Sequence, residues 1–260
     1  FDDFVEVAKP DSHYNPFKNP VIKFRNYLIV QVLYETGFRC AELLALRISD
    51  IGTDIDNPTL SVVRRHDSKD DPRLKEPTAK TLGRAVSITK ELRDLLNTYI
   101  KIHRNDTKVA KTHPFIFVSH KDKEGHYQSG QPLIQQTIND IFKSIKGVNP
   151  ERFWAITPHS YRHYFNDQLS DQIDEERRAV RQEVKRLEEA GVHQAAKQYA
   201  DENKITKQRE LEIRAELNGH SSLKSGEIYL KRTARKQAQR VRQRMQSRMR
   251  HKTDGGYHGS

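Results

Sequence analysis

Residues 219–230 read Gly219-His220-Ser221-Ser222-Leu223-Lys224-Ser225-Gly226-Glu227-Ile228-Tyr229-Leu230. The pair Asn218-Gly219 is a short turn that ends one helix and lets another begin, with Ser221 or Ser222 as its N-cap. Tyr229 then falls about two turns along, nine residues after His220. A single tyrosine in such a place is ordinarily packing. The basic residues carried by other stretches of the chain give this one a different meaning.

Thr157-Pro158-His159-Ser160-Tyr161-Arg162-His163 opens a helix at Pro158 and sets His159 and Arg162 three apart on one helix face. Thr36-Gly37-Phe38-Arg39-Cys40-Ala41-Glu42-Leu43-Leu44 is a turn followed by a helical apolar period, with Arg39 at its start. Arg39, His159, Arg162, His220 and Tyr229 therefore stand in chain order. On these residues the chain resembles the tyrosine recombinase (phage integrase) family, which carries Arg, Lys, His-x-x-Arg, Gly-His and Tyr in this sequence. The resemblance runs over residues 21–232 apart from one long insertion. It implies a mainly α domain with a small antiparallel β-sheet, an α+β integrase-like catalytic domain.

Composition points the same way independently. The 260 residues are enough for a proper core in one large domain or two small ones. With 35% hydrophobic and 31% charged residues and a net charge of +11, the chain fits a polyanionic partner, nucleic acid before membrane. The longest apolar run, around Tyr27–Tyr34, is too short to span a bilayer and has no basic amphipathic anchor beside it. The expected partner is double-stranded DNA, with no membrane attachment. No signal peptide is visible and the single cysteine, Cys40, has no disulfide partner within the chain, so a reducing cytoplasm is the expected compartment. Cys40 reads as an ordinary small helix residue.

In chain order, residues 1–20 hold Pro10, Pro16 and Pro20 with little periodicity and read as a linker or arm. The chain does not begin with methionine, and the family places a helical DNA-clamping domain ahead of the catalytic one, so the resemblance implies a fragment from which that domain is missing. Residues 21–47 have helical spacing on both sides of the Thr36-Gly37 break, with Phe24, Leu28, Val32 and Leu33 on one side of the first helix. The resemblance assigns Glu42 to the motif of Arg39, as a carboxylate holding that guanidinium in place. Residues 60–65 and 84–88 alternate as two strands. In the family a hairpin here carries a lysine, and Ala79-Lys80-Thr81-Leu82-Gly83-Arg84 resembles that turn; Lys80 is the choice, and Lys75 of the same loop is the alternative. Residues 90–104 and 131–146 have helical periods, and Pro114–Val118 is a short apolar segment.

His159 and His220 are 61 residues apart, wider than the family usually shows. Residues 171–216 carry twelve acidic and ten basic side chains, with Val180, Val184 and Leu187 at helical spacing and Gly191 as a break. This insertion reads as two or three exposed helices. It is either a solvated elaboration or a contact surface for a second protomer or DNA. The expected organisation is thus an arm at 1–20, a catalytic domain at 21–234 and a basic tail at 235–260. From Lys231 to Lys252 there are ten basic residues and no acid. In the family a C-terminal segment packs on a neighbouring protomer, which implies a homo-oligomer, dimer to tetramer, on DNA.

The chemistry follows from elementary constants. A tyrosine of pKa near 10 is about 0.1% ionised at pH 7 and needs positive neighbours to attack a phosphodiester. Arg39 and Arg162 match the non-bridging oxygens. His159 and His220 donate hydrogen bonds or take up the tyrosine proton, and Lys80 protonates the leaving 5′ oxygen. The expected site is therefore Arg39, Lys80, His159, Arg162, His220 and Tyr229, with neither metal nor cofactor. The resemblance implies a site-specific DNA recombinase or integrase of a mobile element or phage, working through a covalent 3′-phosphotyrosine. A type IB topoisomerase-like nicking and closing enzyme and a DNA-binding module without chemistry stand as alternatives.

Overall fold

The computed structural model describes residues 1–65, 70–77, 82–121, 129–220 and 222–227, with residues 230, 238 and 242. They form two compact units, one made of Phe1–Gln168 with the return segment from Ile213, the other of Leu169–Glu212 with the described residues from Ser222 on.

The first unit opens with helix α1 (Asp2–Ala8). The first twenty residues were expected to be an arm, but Phe4 is fully buried and packs on Phe142 and Phe153. One turn of apolar residues between polar ones gives too short a period to read, and burial by tertiary partners supplies what the period lacks. Asn19 caps α2 (Pro20–Thr36), its side-chain oxygen accepting from the amides of Val21 and Ile22, with Pro20 at the first helical position. Ile22, Leu28, Ile29, Val30, Val32 and Leu33 are all buried, so α2 is covered on most of its circumference and not on one side. Gly37 (φ 60°) ends it in the left-handed conformation, its N–H on the carbonyl of Leu33. Helix α3 (Cys40–Ala45) follows at once.

The strands are β1 (Thr59–Val62) and β2 (Arg84–Ser87), antiparallel with Leu60 opposite Val86 and Val62 opposite Arg84. Leu60, Val62, Arg84 and Val86 all face inward. Helix α4 (Lys90–Thr98) starts on Thr89, whose hydroxyl accepts from the amide of Leu92, and continues as a π turn over Tyr99–Arg104. The apolar segment Phe115–Val118 is buried throughout and bridges to Arg47 on one side and to Pro132 on the other. Helices α5 (Gln135–Lys146) and α6 (Pro150–Phe153) add Ile138, Ile141, Phe142, Ile145 and Phe153 to the same core.

Helix α7 spans Pro158–Glu189, so the helix that opens at Pro158 runs through residue 171 without a break. Helices α8 (His193–Asn203) and α9 (Lys207–Asn218) complete the chain of long elements. In the second unit Ile173, Ala196 and Leu211 are buried, and Arg177 donates to the carbonyl of Ile205 (3.1 Å) and pairs with Glu210 (2.8 Å). Its other pairs, such as Arg178 with Glu175 and Lys185 with Glu189, are exposed neighbours on one helix and contribute a few tenths of a kcal/mol each. Among the described residues no helix is long and apolar enough to cross a membrane.

Candidate active site

Two helix ends and one helix start build the site. The carbonyl of Gly37, at the end of α2, accepts from Arg162 Nη1 at 3.1 Å. At the end of α9, Gly219 is also left-handed (φ 64°). The amide of His220 reaches back to the carbonyl of Ala215 (2.9 Å) and that of Gly219 to Glu216 (3.2 Å), the paired bonds of a Schellman cap. This closure delivers His220, and it leaves the carbonyl of Asn218 to accept from Arg162 Nη2 at 2.7 Å. The start is that of α7, where Thr157 and Ser160 exchange backbone-to-hydroxyl bonds of 2.8 and 3.1 Å. His159 follows in the first turn, one turn before Arg162.

At the centre lies Glu42, buried at 2% exposure. Its carboxylate accepts from the Arg39 amide (2.9 Å) and from Arg39 Nη1 (3.3 Å). Arg84 donates to both oxygens, Nη1 to Oε1 at 3.2 Å and Nη2 to Oε2 at 2.9 Å. Arg162 Nη1 stands 4.0 Å from Oε2. Among the described residues one carboxylate thus faces three guanidiniums, an excess of positive charge. The three are layered: the Arg39 side chain is 35% exposed, whereas Arg84 and Arg162 are each at 1%.

The charge excess acts on the imidazoles. Burial, then the charges of Arg162, Arg39 and Arg84, push the half-buried His220 down to about 4, against a smaller opposite pull from Glu42. His159, on the exposed side of α7, is lowered by partial desolvation and by Arg162 and Arg39. His220 Nε2 lies 3.4 Å from Arg162 Nη2. A guanidinium only donates, so Nε2 is the accepting nitrogen and the proton of the neutral ring sits on Nδ1. Burial pushes the thiol of Cys40, next to Arg39 in sequence, up to about 11, which keeps it protonated at neutral pH.

A second buried layer supports Arg162. The side-chain amides of Asn166 and Asn218 bond reciprocally, each at 3.0 Å. Asn166 also donates to the Arg162 carbonyl (2.9 Å), and the fully buried Arg214 donates to the Asn166 carbonyl (3.3 Å).

The structure therefore brings Arg39, His159, Arg162 and His220 into one cluster. Lys80 and Tyr229 lie outside the described residues. Lys75 is exposed on a loop whose neighbour Arg73 is buried, bonded to Asp71 (2.7 Å) and to the carbonyls of Leu44 (3.0 Å) and Leu133 (2.9 Å). Sequence reading overlooked Arg84, Asn166 and Asn218. A signal for Arg84 was there: Arg84-x-Val86-x-Ile88 puts an arginine on the apolar face of an alternating strand, where a charge needs a buried partner.

The profile of the phage integrase family matches residues 13–176, a span that includes Arg39, His159 and Arg162 and stops before His220. Transposase A from transposon Tn554 of Staphylococcus aureus is 32% identical over 146 residues, 56% of this chain and 36% of the relative. Tyrosine recombinase XerD of Halalkalibacterium halodurans is 26% identical over 146 residues, 56% of this chain and 40% of the relative. The chain thus spans well under half the length of these curated relatives. Among solved structures, the XerH site-specific recombinase on palindromic difH substrate superposes with a TM-score of 0.57 at 18% identity, covering 92% of this chain and 50% of that one. The Tn1549 transposon integrase with circular intermediate DNA gives 0.51 at 18% identity, covering 92% and 63%. The mainly helical architecture with an antiparallel pair of strands is that of these recombinases, and with a family profile matched over more than half its length, the chain belongs to the phage integrase family.

Proposed function

We propose that this chain is the catalytic part of a site-specific DNA recombinase that cuts and rejoins strands of double-stranded DNA through a covalent 3′-phosphotyrosine. The observation that carries this reading is the convergence of Arg39, Arg162, His159 and His220, from three separated segments, on one cluster with more positive than negative charge. Such a cluster suits a phosphodiester, whose non-bridging oxygens gain charge as a fifth oxygen approaches.

In the proposed reaction the Tyr229 oxygen attacks the scissile phosphorus and the bond to the 5′ oxygen breaks. Arg39, the exposed guanidinium, meets the non-bridging oxygens as a fork. Arg162 adds a fixed charge beside His220, whose imidazole is a further donor to the same oxygens. His159 is the imidazole left to accept the tyrosine proton, and Lys80 supplies a proton to the leaving 5′ oxygen. The phosphotyrosine keeps the bond energy, so a 5′ hydroxyl from another strand reverses the step on a new partner. Joining two sites calls for more than one active site, which favours an oligomer on DNA, and the basic residues after Lys231 add a further phosphate-binding segment. The similarity to transposase A from transposon Tn554 favours a mobile element as the source.

The test is a suicide duplex drawn from the ends of the element that carries the gene, nicked so that the released strand diffuses away. The chain should form a covalent adduct, and Tyr229→Phe should abolish it while binding survives, since one hydroxyl and no charge is removed. An adduct persisting in Tyr229→Phe would move the nucleophile elsewhere. Relaxation of supercoiled DNA without strand exchange would select the topoisomerase-like alternative.

A further inference from the structure

Arg84 has no place in the chemistry just described, yet it is the residue that touches most of the cluster's supports. Its Nη1 and Nη2 take both oxygens of Glu42 (3.2 and 2.9 Å). Its Nε donates to the carbonyl of Leu217 at 2.8 Å, and its guanidinium lies 5.2 Å from the centre of the Phe38 ring. Phe38 and Leu217 adjoin Gly37 and Asn218, whose carbonyls are the two acceptors of Arg162. Arg84 is thus bonded to, or stacked on, the chain neighbours of both groups that orient Arg162.

The carboxylate is the more important contact. Glu42 is buried, and a buried carboxylate draws whatever cation is near enough to pair with it. Arg39 Nη1 is already at 3.3 Å and Arg162 Nη1 at 4.0 Å. We infer that Arg84 is a positioning residue which takes both oxygens of Glu42 with a fork of its own, and so keeps Arg39, which shares Oε1 through Nη1, from turning its whole fork onto the carboxylate and leaves it available to an anionic phosphate. Without Arg84 the same carboxylate would compete with the substrate for the Arg39 guanidinium. The inference rests on the proposed phosphate-binding role of the cluster, and its test does not need cleavage.

The probe is inorganic phosphate, titrated into the full chain while the ring C–H signals of His159 and His220 are followed by NMR. The unaltered chain should show saturable shifts. Arg84→Met should weaken phosphate binding by about tenfold or more, the scale of a lost charged hydrogen bond. The double variant Arg84→Met/Glu42→Gln should recover most of that affinity, because the competing charge is gone; a purely structural role predicts a double variant no better than the single. Arg84→Lys, which keeps the charge but cannot span both oxygens and the Leu217 carbonyl, should be intermediate, and it carries the test if Arg84→Met does not fold. The inference is overturned if the unaltered chain binds no phosphate at these rings, if a folded Arg84→Met or Arg84→Lys binds it as the unaltered chain does, or if the double variant gains nothing. If the phosphate results hold and the unaltered chain still forms no adduct with DNA, the recombinase reading fails and the role of Arg84 stands.

Discussion

Asn166 and Asn218 hold each other by two reciprocal amide bonds of 3.0 Å, both residues at 1% exposure or less. Arg162 is fastened to both, its own carbonyl accepting from Asn166 and its Nη2 donating to the carbonyl of Asn218. Asn166→Ala and Asn218→Ala should each lower stability by about 1–3 kcal/mol, because each leaves a buried amide without its partner. The double variant should cost clearly less than the sum of the singles. Denaturant midpoints measure all three; additive losses would show that the pair does not act as a unit.

Two of the left-handed glycines should differ in their tolerance of a side chain. Gly37→Ala meets both an unfavourable φ, worth about 1–2 kcal/mol, and a clash. Its Cβ would stand 2.7 Å from the Cβ of Phe165, on the helix that carries Arg162. Gly191→Ala, just past α7 at φ 76° with nothing within 4 Å of the added Cβ, should cost less, near the strain alone. Thermal melts should rank Gly37→Ala as the less stable, and the reverse order would show that the turn at Gly191 is the tighter of the two.

Acid should weaken the fold through His220. An unfolded histidine titrates near 6.5 and the folded ring near 4. Between those values the unfolded chain takes up a proton that the folded ring refuses, so this residue's share of stability is complete above pH 6.5 and is lost as pH falls toward 4. His220→Gln should flatten the pH dependence of stability in that window, measured as the difference between the two proteins' denaturation curves. A difference that does not change with pH would place the folded pKa of His220 at its ordinary value.

Lys80 is tested by its leaving group. Lys80→Ala should cleave a normal phosphodiester slowly and recover on a substrate with sulfur at the 5′ bridging position, since a thiolate leaves without a proton. Arg39→Ala and Arg162→Ala, each losing a fixed positive charge worth ~3 kcal/mol to the transition state, should not recover on that substrate. Lys75→Ala is the control. Rescue there, with Lys80→Ala unimpaired, would shift the general acid five residues upstream.

Much of this protein is local chemistry that the sequence states outright. Thr157-Pro158, Gly37, Gly191 and Asn218-Gly219 mark helix ends because a cap or a positive φ depends on the few residues beside it, and the order Arg39, His159, Arg162, His220 follows along those ends. The strand alternation around Val62 and Val86 is equally local. Tertiary structure alone decided what Arg84 does, since its partner Glu42 lies 42 residues away in the chain and a buried ion pair exists only where both ends arrive at the same point. It also decided that α1 is core and not arm, that α2 is covered on most sides, and that Arg39 lies toward solvent while Arg162 lies beneath His220. Burial of this kind is set by which surfaces meet, and no period in the sequence of one element records the surface of another.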